Sequence, residues 1–168
     1  MRNALLMRMR RRPISSRNMR LASLRFDAWD HPSPYMFGAY QRQIFAAGEW
    51  GGEWHPDFAP KPGHLIATEH WVSSGFANTN LDTLLKQQGI THVVLIGLIA
   101  KTCIESTGKY AVELCYHVTL VRDATAASAE AMHCAHDING PTYAHAVITT
   151  SDLVTALATP ALAPIEGV

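Results

Sequence analysis

Cysteine is scarce in this chain. There are three (Cys103, Cys115 and Cys134), an odd number with no Cys-x-x-Cys spacing. A disulfide framework or a cysteine-rich zinc module is therefore disfavoured, and a reducing compartment is favoured. No apolar run reaches the length needed to cross a membrane, and no internal repeat is present. The nine histidines include no His-x-His or His-x-x-x-His pair joined to an acid. His133 and His136 share a helical face, but two imidazoles without a carboxylate are too few for a metal centre. Neither a metal nor any other cofactor is expected.

Net charge is also missing, since 14 basic residues balance 14 acidic ones. The balance hides an asymmetry. Residues 1–25 contain eight arginines and no acid, so the rest of the chain holds the other six basic residues and all the acidic ones. Such an arm suits an organelle-targeting segment or a non-native start. Nucleic-acid or anionic-membrane binding ranks lower, because no aromatic interleaving or reader motif accompanies the arginines. The arm is expected to lack regular structure, and residues 26–168 to form the folded domain. A cytoplasmic location is expected, with a mitochondrial one as the alternative the arm allows.

Apolar residues make up 48% of the 168 and charged residues 17%, a globular composition large enough for one domain with a core. Residues 26–63 are rich in Trp, Pro and Gly and read as turns around one helix over 34–47. Beyond them the pattern alternates. Strands are predicted over 64–68, 91–97, 117–122 and 144–149, and helices over 81–88, 103–114 and 128–139, with a last helix capped by Ser151 and running to 157. Strands and helices alternating through short connections predict an α/β fold: a doubly wound, mainly parallel sheet flanked by helices. Ligands in such folds sit at the carboxyl ends of the strands. The segments 69–76, 97–103 and 123–125 fall on that rim.

Cys103 is the informative residue. An apolar run ends at Gly97, and six residues later a thiol stands at the start of a helix. The first turn of a helix carries unpaired N–H groups and a partial positive charge. That field favours a thiolate, and the same N–H groups can hold the oxyanion formed when it attacks a carbonyl. The competing reading is a buried core thiol.

The stretch Gly97-Leu-Ile-Ala-Lys-Thr-Cys103-Ile-Glu-Ser-Thr107, followed by Ala111, Tyr116 and Asp123-Ala-Thr125, resembles the isochorismatase-like cysteine hydrolases. So do Trp50-Gly-Gly-Glu53, Ser74-Gly-Phe76-Ala-Asn-Thr79-Asn-Leu81 and Thr149-Thr150. The likeness runs over about residues 48–157. It implies that fold, a hydrolase acting on a small amide or ureide through a thioester, and a homo-oligomer with a small-molecule substrate and no nucleic-acid or membrane partner. Cys103 takes the nucleophile position. A cis peptide is implied in the turn Leu98-Ile99-Ala100, whose backbone amides, with that of Cys103, would face the oxyanion.

Two departures from the family pattern stand out. The family's Cys–Asp–Lys triad places its aspartate on a first strand, and no such strand is legible here. The chain is therefore expected to lack that N-terminal strand and to leave a slot in the sheet unfilled. No lysine follows the strand over 64–68, where Thr68, Glu69 and His70 stand instead. Glu69 is then the one carboxylate of that rim able to carry a proton. Trp50, His70, Trp71, Phe76, Lys101 and Thr102 are candidate substrate contacts, with core packing or solvent the bland alternative for each. Asp123 is read as a cap, and Cys115 and Cys134 as structural. The rival to the enzyme is a truncated, catalytically impaired family member that serves binding or oligomer assembly.

Overall fold

The computed structural model describes residues 4–9, 17–21, 24–68 and 72–158. One six-stranded sheet runs through it, in the order β3-β2-β1-β4-β5-β6. Its strands are β1 (Ala4–Met9), β2 (Arg17–Leu21), β3 (Leu65–Ala67), β4 (Ile90–Leu98), β5 (His117–Ala126) and β6 (Ala146–Ile148). The helices are α1 (Phe37–Gln41), α2 (Leu81–Gln87), α3 (Glu105–Glu113), α4 (Ala129–His133), α5 (Gly140–Tyr143) and α6 (Thr150–Ala158). The doubly wound, mainly parallel α/β architecture is present.

The parallel pairs are β2–β3, β4–β5 and β5–β6. β1 alone is reversed. It pairs antiparallel with β2 through Ala4–Arg20 to Met7–Arg17, and with β4 through Ala4–Ile96 to Met9–Ile90. Two expectations change here. The first 25 residues include two strands rather than an arm without regular structure, and the interior slot is filled by Ala4–Met9. The reason is a pairing demand: the N–H and C=O rows facing each other across a gap between β2 and β4 need partners, and a short strand entering from either direction meets it.

The core lies against β4 and β5. Val93 and Leu95 of β4 and Val118 and Leu120 of β5 are buried beside Leu81 and Leu85 of α2 and Ala111 of α3. Val94 and Val121, on the other pleat face, are buried too, so both faces of the central strands are covered, as parallel strands require. α3 comes close to the sheet at Gly108. A Cβ there would lie 2.4 Å from the Tyr143 ring and 3.0 Å from Leu95 Cδ1, so only glycine admits this approach.

A smaller cluster of Leu24, Phe26, Met36 and Ala46, with Trp29 and Tyr40 packed on it, organises the long connection between β2 and β3. The helix expected over 34–47 stops at Gln41. Gln43 and Phe45 take positive φ (52° and 62°), and the turned chain lets Ala46 bridge to Leu24. The apolar spacing that suggested a long helix belongs to residues that pack from a turn. The last helix also starts differently. Thr149 Oγ1 accepts from the Asp152 N–H (3.2 Å), and Asp152 Oδ2 accepts from the Thr149 N–H (3.0 Å). This reciprocal cap makes Thr149, not Ser151, the capping residue.

Tyr143 is nine-tenths buried, yet its hydroxyl has no hydrogen-bond partner among the described residues. Burial holds the phenol well above its ordinary range of ionisation. An unpaired buried hydroxyl costs about 1–3 kcal/mol. Tyr143→Phe, which keeps the ring against Gly108, is therefore expected to leave thermal stability unchanged or raise it. A clear fall in Tm would show that the hydroxyl has a partner.

Two histidines are expected to make the fold acid-sensitive. His136 is buried, with Nε2 2.7 Å from Thr125 Oγ1. Burial, and then Arg122, push its pKa below the ordinary 6.5. His117 is lowered by burial and by His145, whose ring stacks on it at 4.1 Å. The unfolded chain takes up these protons near pH 6.5 while the folded one resists. Stability is therefore full above about pH 6.5 and falls as the medium is acidified through the lowered folded values. Asp137, held low by its bonds to His133 and Arg122, adds a second loss below its ordinary 3.8. Melting temperatures from pH 7.5 to 5 are expected to decline, and less steeply in His136→Gln; equal slopes would remove His136 as a cause.

Candidate active site

β4 ends in a bend. Gly97 has φ +117°, a conformation side chains resist, and the pairing with β5 shifts register between Leu95 and Gly97. The Leu98–Ile99 peptide that follows is cis. The chain then winds into a wide helical turn, Ala100–Ile104, before tightening into α3. Its bonds reach back five residues: Ile104 N–H to the Ile99 carbonyl at 3.3 Å and Glu105 N–H to that of Ala100. The helix predicted from Cys103 onward thus begins as a π-helical turn, a feature common at functional sites.

Cys103 sits on this turn at the carboxyl-end rim of the sheet. It is half-buried, not sealed among aliphatic side chains. The Thr102 hydroxyl lies 3.7 Å from its sulfur. Its carbonyl accepts from Thr107 Oγ1 at 2.6 Å, and the Thr107 hydroxyl in turn accepts from the Gly75 N–H at 2.9 Å. Ser73 Oγ donates to Ser106 Oγ at 3.1 Å. These bonds clamp the segment after β3 onto the first turns of α3, although β2 and β1 separate β3 from β4 in the sheet.

Glu105 anchors the other side of the turn. Its buried carboxylate accepts from Lys109 Nζ at 2.6 Å and from Asn139 Nδ2 at 3.2 Å to each oxygen. Asn139 ends a second π-helical turn, Cys134–Asn139, that continues α4. Ser73 and Asn139 were not singled out from sequence, and Glu105, Ser106 and Thr107 entered only as part of the motif around the cysteine. The one available signal was the Glu-Ser-Thr run after the cysteine, with Thr107 four residues on, where a hydroxyl reaches back to a helical carbonyl.

The remaining expected residues divide. Ala100 is buried and Ile99 exposed, flanking the cis bond with Leu98. Lys101 is exposed and Thr102 half-buried. Phe76 is a core residue rather than a pocket wall: it is 4% exposed and packs on Tyr116 and Tyr110. Trp50 is 91% exposed on a short helical turn and so walls no pocket among the described residues. Glu69, His70 and Trp71 lie outside the described residues. Asp123 caps, as expected, but it caps α6: its Oδ1 accepts from Thr150 N–H and Oγ1 at 2.7 and 2.9 Å. His133 and His136 turn to different partners, Asp137 and Thr125. An open cavity of about 500 Å³ lies elsewhere, between Leu24–Asp27 and Gln43–Gly48.

A family model described as the isochorismatase domain matches residues 14–152. The chain belongs to the isochorismatase family. The match reaches further back than the motifs beginning at Trp50, and so takes in β2. Ureidoacrylate amidohydrolase RutB of Pantoea ananatis is 34% identical over 116 residues, 69% of this chain and 42% of that protein. The same-named protein of Enterobacter is 33% identical over 126 residues, 74% and 54% of the two chains. The chain thus spans about half the length of these curated relatives. Among solved structures, N-carbamoylsarcosine amidase from Thermoplasma acidophilum aligns with a TM-score of 0.58 at 31% identity, covering 73% of this chain and 68% of that one. A cysteine hydrolase from Pseudomonas syringae shares the fold, with a TM-score of 0.72 at 22% identity over 83% and 70% of the two chains.

Among the described residues, no helix is long and apolar enough to cross a membrane.

Proposed function

We propose that this protein hydrolyses a C–N bond of a small amide or ureide through a thioester on Cys103. The observation that carries the reading is the position of the thiol: accessible, on a widened first turn, directly after the bend that closes β4. The names of its relatives point to ureides and carbamoyl compounds as the substrate class. The thiolate attacks the carbonyl carbon and a C–S bond forms. The tetrahedral centre collapses, the C–N bond breaks, and the amine leaves with a proton. Water then releases the acid. Backbone N–H groups of the Ala100–Cys103 turn receive the oxyanion, a contribution worth about 10²–10³ in rate per donor.

The proton for the amine is assigned to Glu69, on the segment between β3 and the Ser73–Gly75 clamp. General acid help of this kind is worth about 10²–10⁴. The active form is taken to be a homo-oligomer. Ammonia release from a panel of N-carbamoyl amino acids and ureidoacrylate tests the reading. Turnover that depends on Cys103 supports it. A folded protein that binds members of the panel without releasing ammonia would favour the impaired binding or assembly protein instead.

A further inference from the structure

Gly75 is held between two threonine hydroxyls. Its N–H donates to Thr107 Oγ1 at 2.9 Å, and its carbonyl accepts from Thr79 Oγ1 at 2.7 Å. Thr107 is buried, and its hydroxyl donates to the Cys103 carbonyl at 2.6 Å. One oxygen therefore joins the backbone of the loop after β3 to the backbone of the residue that carries the thiol. One residue earlier on α3, Ser106 Oγ accepts from Ser73 Oγ at 3.1 Å, so the loop is fastened at both Ser73 and Gly75. Ser74 lies between them and is buried. Its hydroxyl accepts from the N–H groups of Phe76 and Ala77 at 3.2 and 3.4 Å, which closes the loop on itself.

A single hydrogen bond leaves a segment free to pivot, whereas two fix its direction. The chemistry proposed above draws on both sides of this clasp. The thiol stands on the π-helical turn, and Glu69 precedes Ser73 by four residues in the chain. Reacting groups on separate segments work together only while the segments keep one relation, and a misplacement of about 1 Å costs up to about 10² in rate. Threonine suits the junction. On a helix its hydroxyl reaches the carbonyl four residues back, and its lone pairs stay open to an N–H. Valine has nearly the same shape and makes neither bond, while serine keeps the oxygen.

We infer that Thr107 is a positioning residue for the reaction: its hydroxyl holds the Cys103 backbone and the Ser73–Gly75 loop in one arrangement. It thereby sets the rate of the chemical step through the backbone, not through contact with substrate. The inference rests on the reading of Cys103 as the nucleophile.

Steady-state ammonia release from ureidoacrylate and the N-carbamoyl amino acids, measured on the full chain well below its melting temperature, tests this. Thr107→Val is expected to lower kcat about 10- to 100-fold. KM should stay within about threefold, because the interaction lost is one that serves the transition state. Thr107→Ser is expected to hold kcat within about threefold of wild type, since it keeps the oxygen that makes both bonds. A role in packing alone predicts the reverse order, with valine filling the site and keeping kcat. Ser106→Ala removes the second attachment from a half-buried position and is expected to lower kcat about three- to tenfold. It decides the matter if Thr107→Val does not fold. Unchanged kcat in folded Thr107→Val overturns the positioning role and leaves the Cys103 reading intact. So does a Thr107→Ser variant that falls as far as valine, or, where valine does not fold, unchanged kcat in Ser106→Ala. Wild-type protein that releases no ammonia, or releases it undiminished in Cys103→Ala, overturns the nucleophile reading and this inference with it.

Discussion

Cys103→Ala is expected to lower ammonia release by about 10³–10⁶-fold, the range seen when a covalent nucleophile is removed and only binding and oxyanion donors remain. The loss should be chemical rather than structural. The sulfur is partly exposed, and among the described residues its polar contact is the Thr102 hydroxyl at 3.7 Å. The thiol-to-methyl change opens no large cavity, so Tm should move by little. Cys103→Ser should behave nearly like the alanine variant, because a hydroxyl needs a strong adjacent base to attack an amide. No histidine or lysine side chain among the described residues bonds to this position. Steady-state ammonia release and a melting curve on the same preparation check both halves. Alanine-variant activity at the wild-type level would remove Cys103 from the chemistry.

The second large effect is on stability. Glu105→Ala is expected to cost about 2–4 kcal/mol, because it strips a buried acceptor from Asn139 and leaves a gap beneath α3. For a chain of this size, that corresponds to a Tm lowered by roughly 5–15 °C. Glu105→Gln keeps an oxygen for Asn139 and gives up the ion pair with Lys109. Since Lys109 is half-exposed, that pair contributes little, and the glutamine variant should fall well above the alanine one. Thermal melts of the two variants decide this. Equal losses would mean that the charge, rather than the hydrogen bonds to Asn139, holds the turn.

Much of the fold was legible because buried strands and amphipathic helices announce themselves by period. β3, α2, β4 and β5 fall within a few residues of their predicted spans. Local sequence could not reveal β1. Residues 4–9 are Ala-Leu-Leu-Met-Arg-Met among a cluster of arginines, and what makes them a strand is the pairing offered by β2 and β4 on either side. The register with β4 is a tertiary fact with no local trace. The π-helical turn was invisible for a related reason. A helix starting at Cys103 and a wide turn starting at Ala100 have the same apolar spacing, and the choice between them is made by bonds from Ile104 and Glu105 back to Ile99 and Ala100.

The thiol itself was legible, because glycine, short turn and cysteine form a sequence of fixed length whose parts stay adjacent in space. Its supports were not. Gly75, Ser73 and Asn139 approach Cys103 from segments about 30 residues away in either direction, and nothing in their own neighbourhoods indicates the encounter. Phe76 is the opposite case. Its motif left a pocket wall and core packing both open, and the ring takes the second, between Tyr110 and Tyr116 against α3.

The measurement that bears most directly on the account is the mass of the protein quenched in acid during turnover of a ureide or amide. The expected result is a species heavier by the acyl part of the substrate, mapped to the peptide containing Cys103, removed by hydroxylamine and absent from Cys103→Ala. Turnover without such a species, or an adduct carried by Cys115 or Cys134 instead, would contradict it.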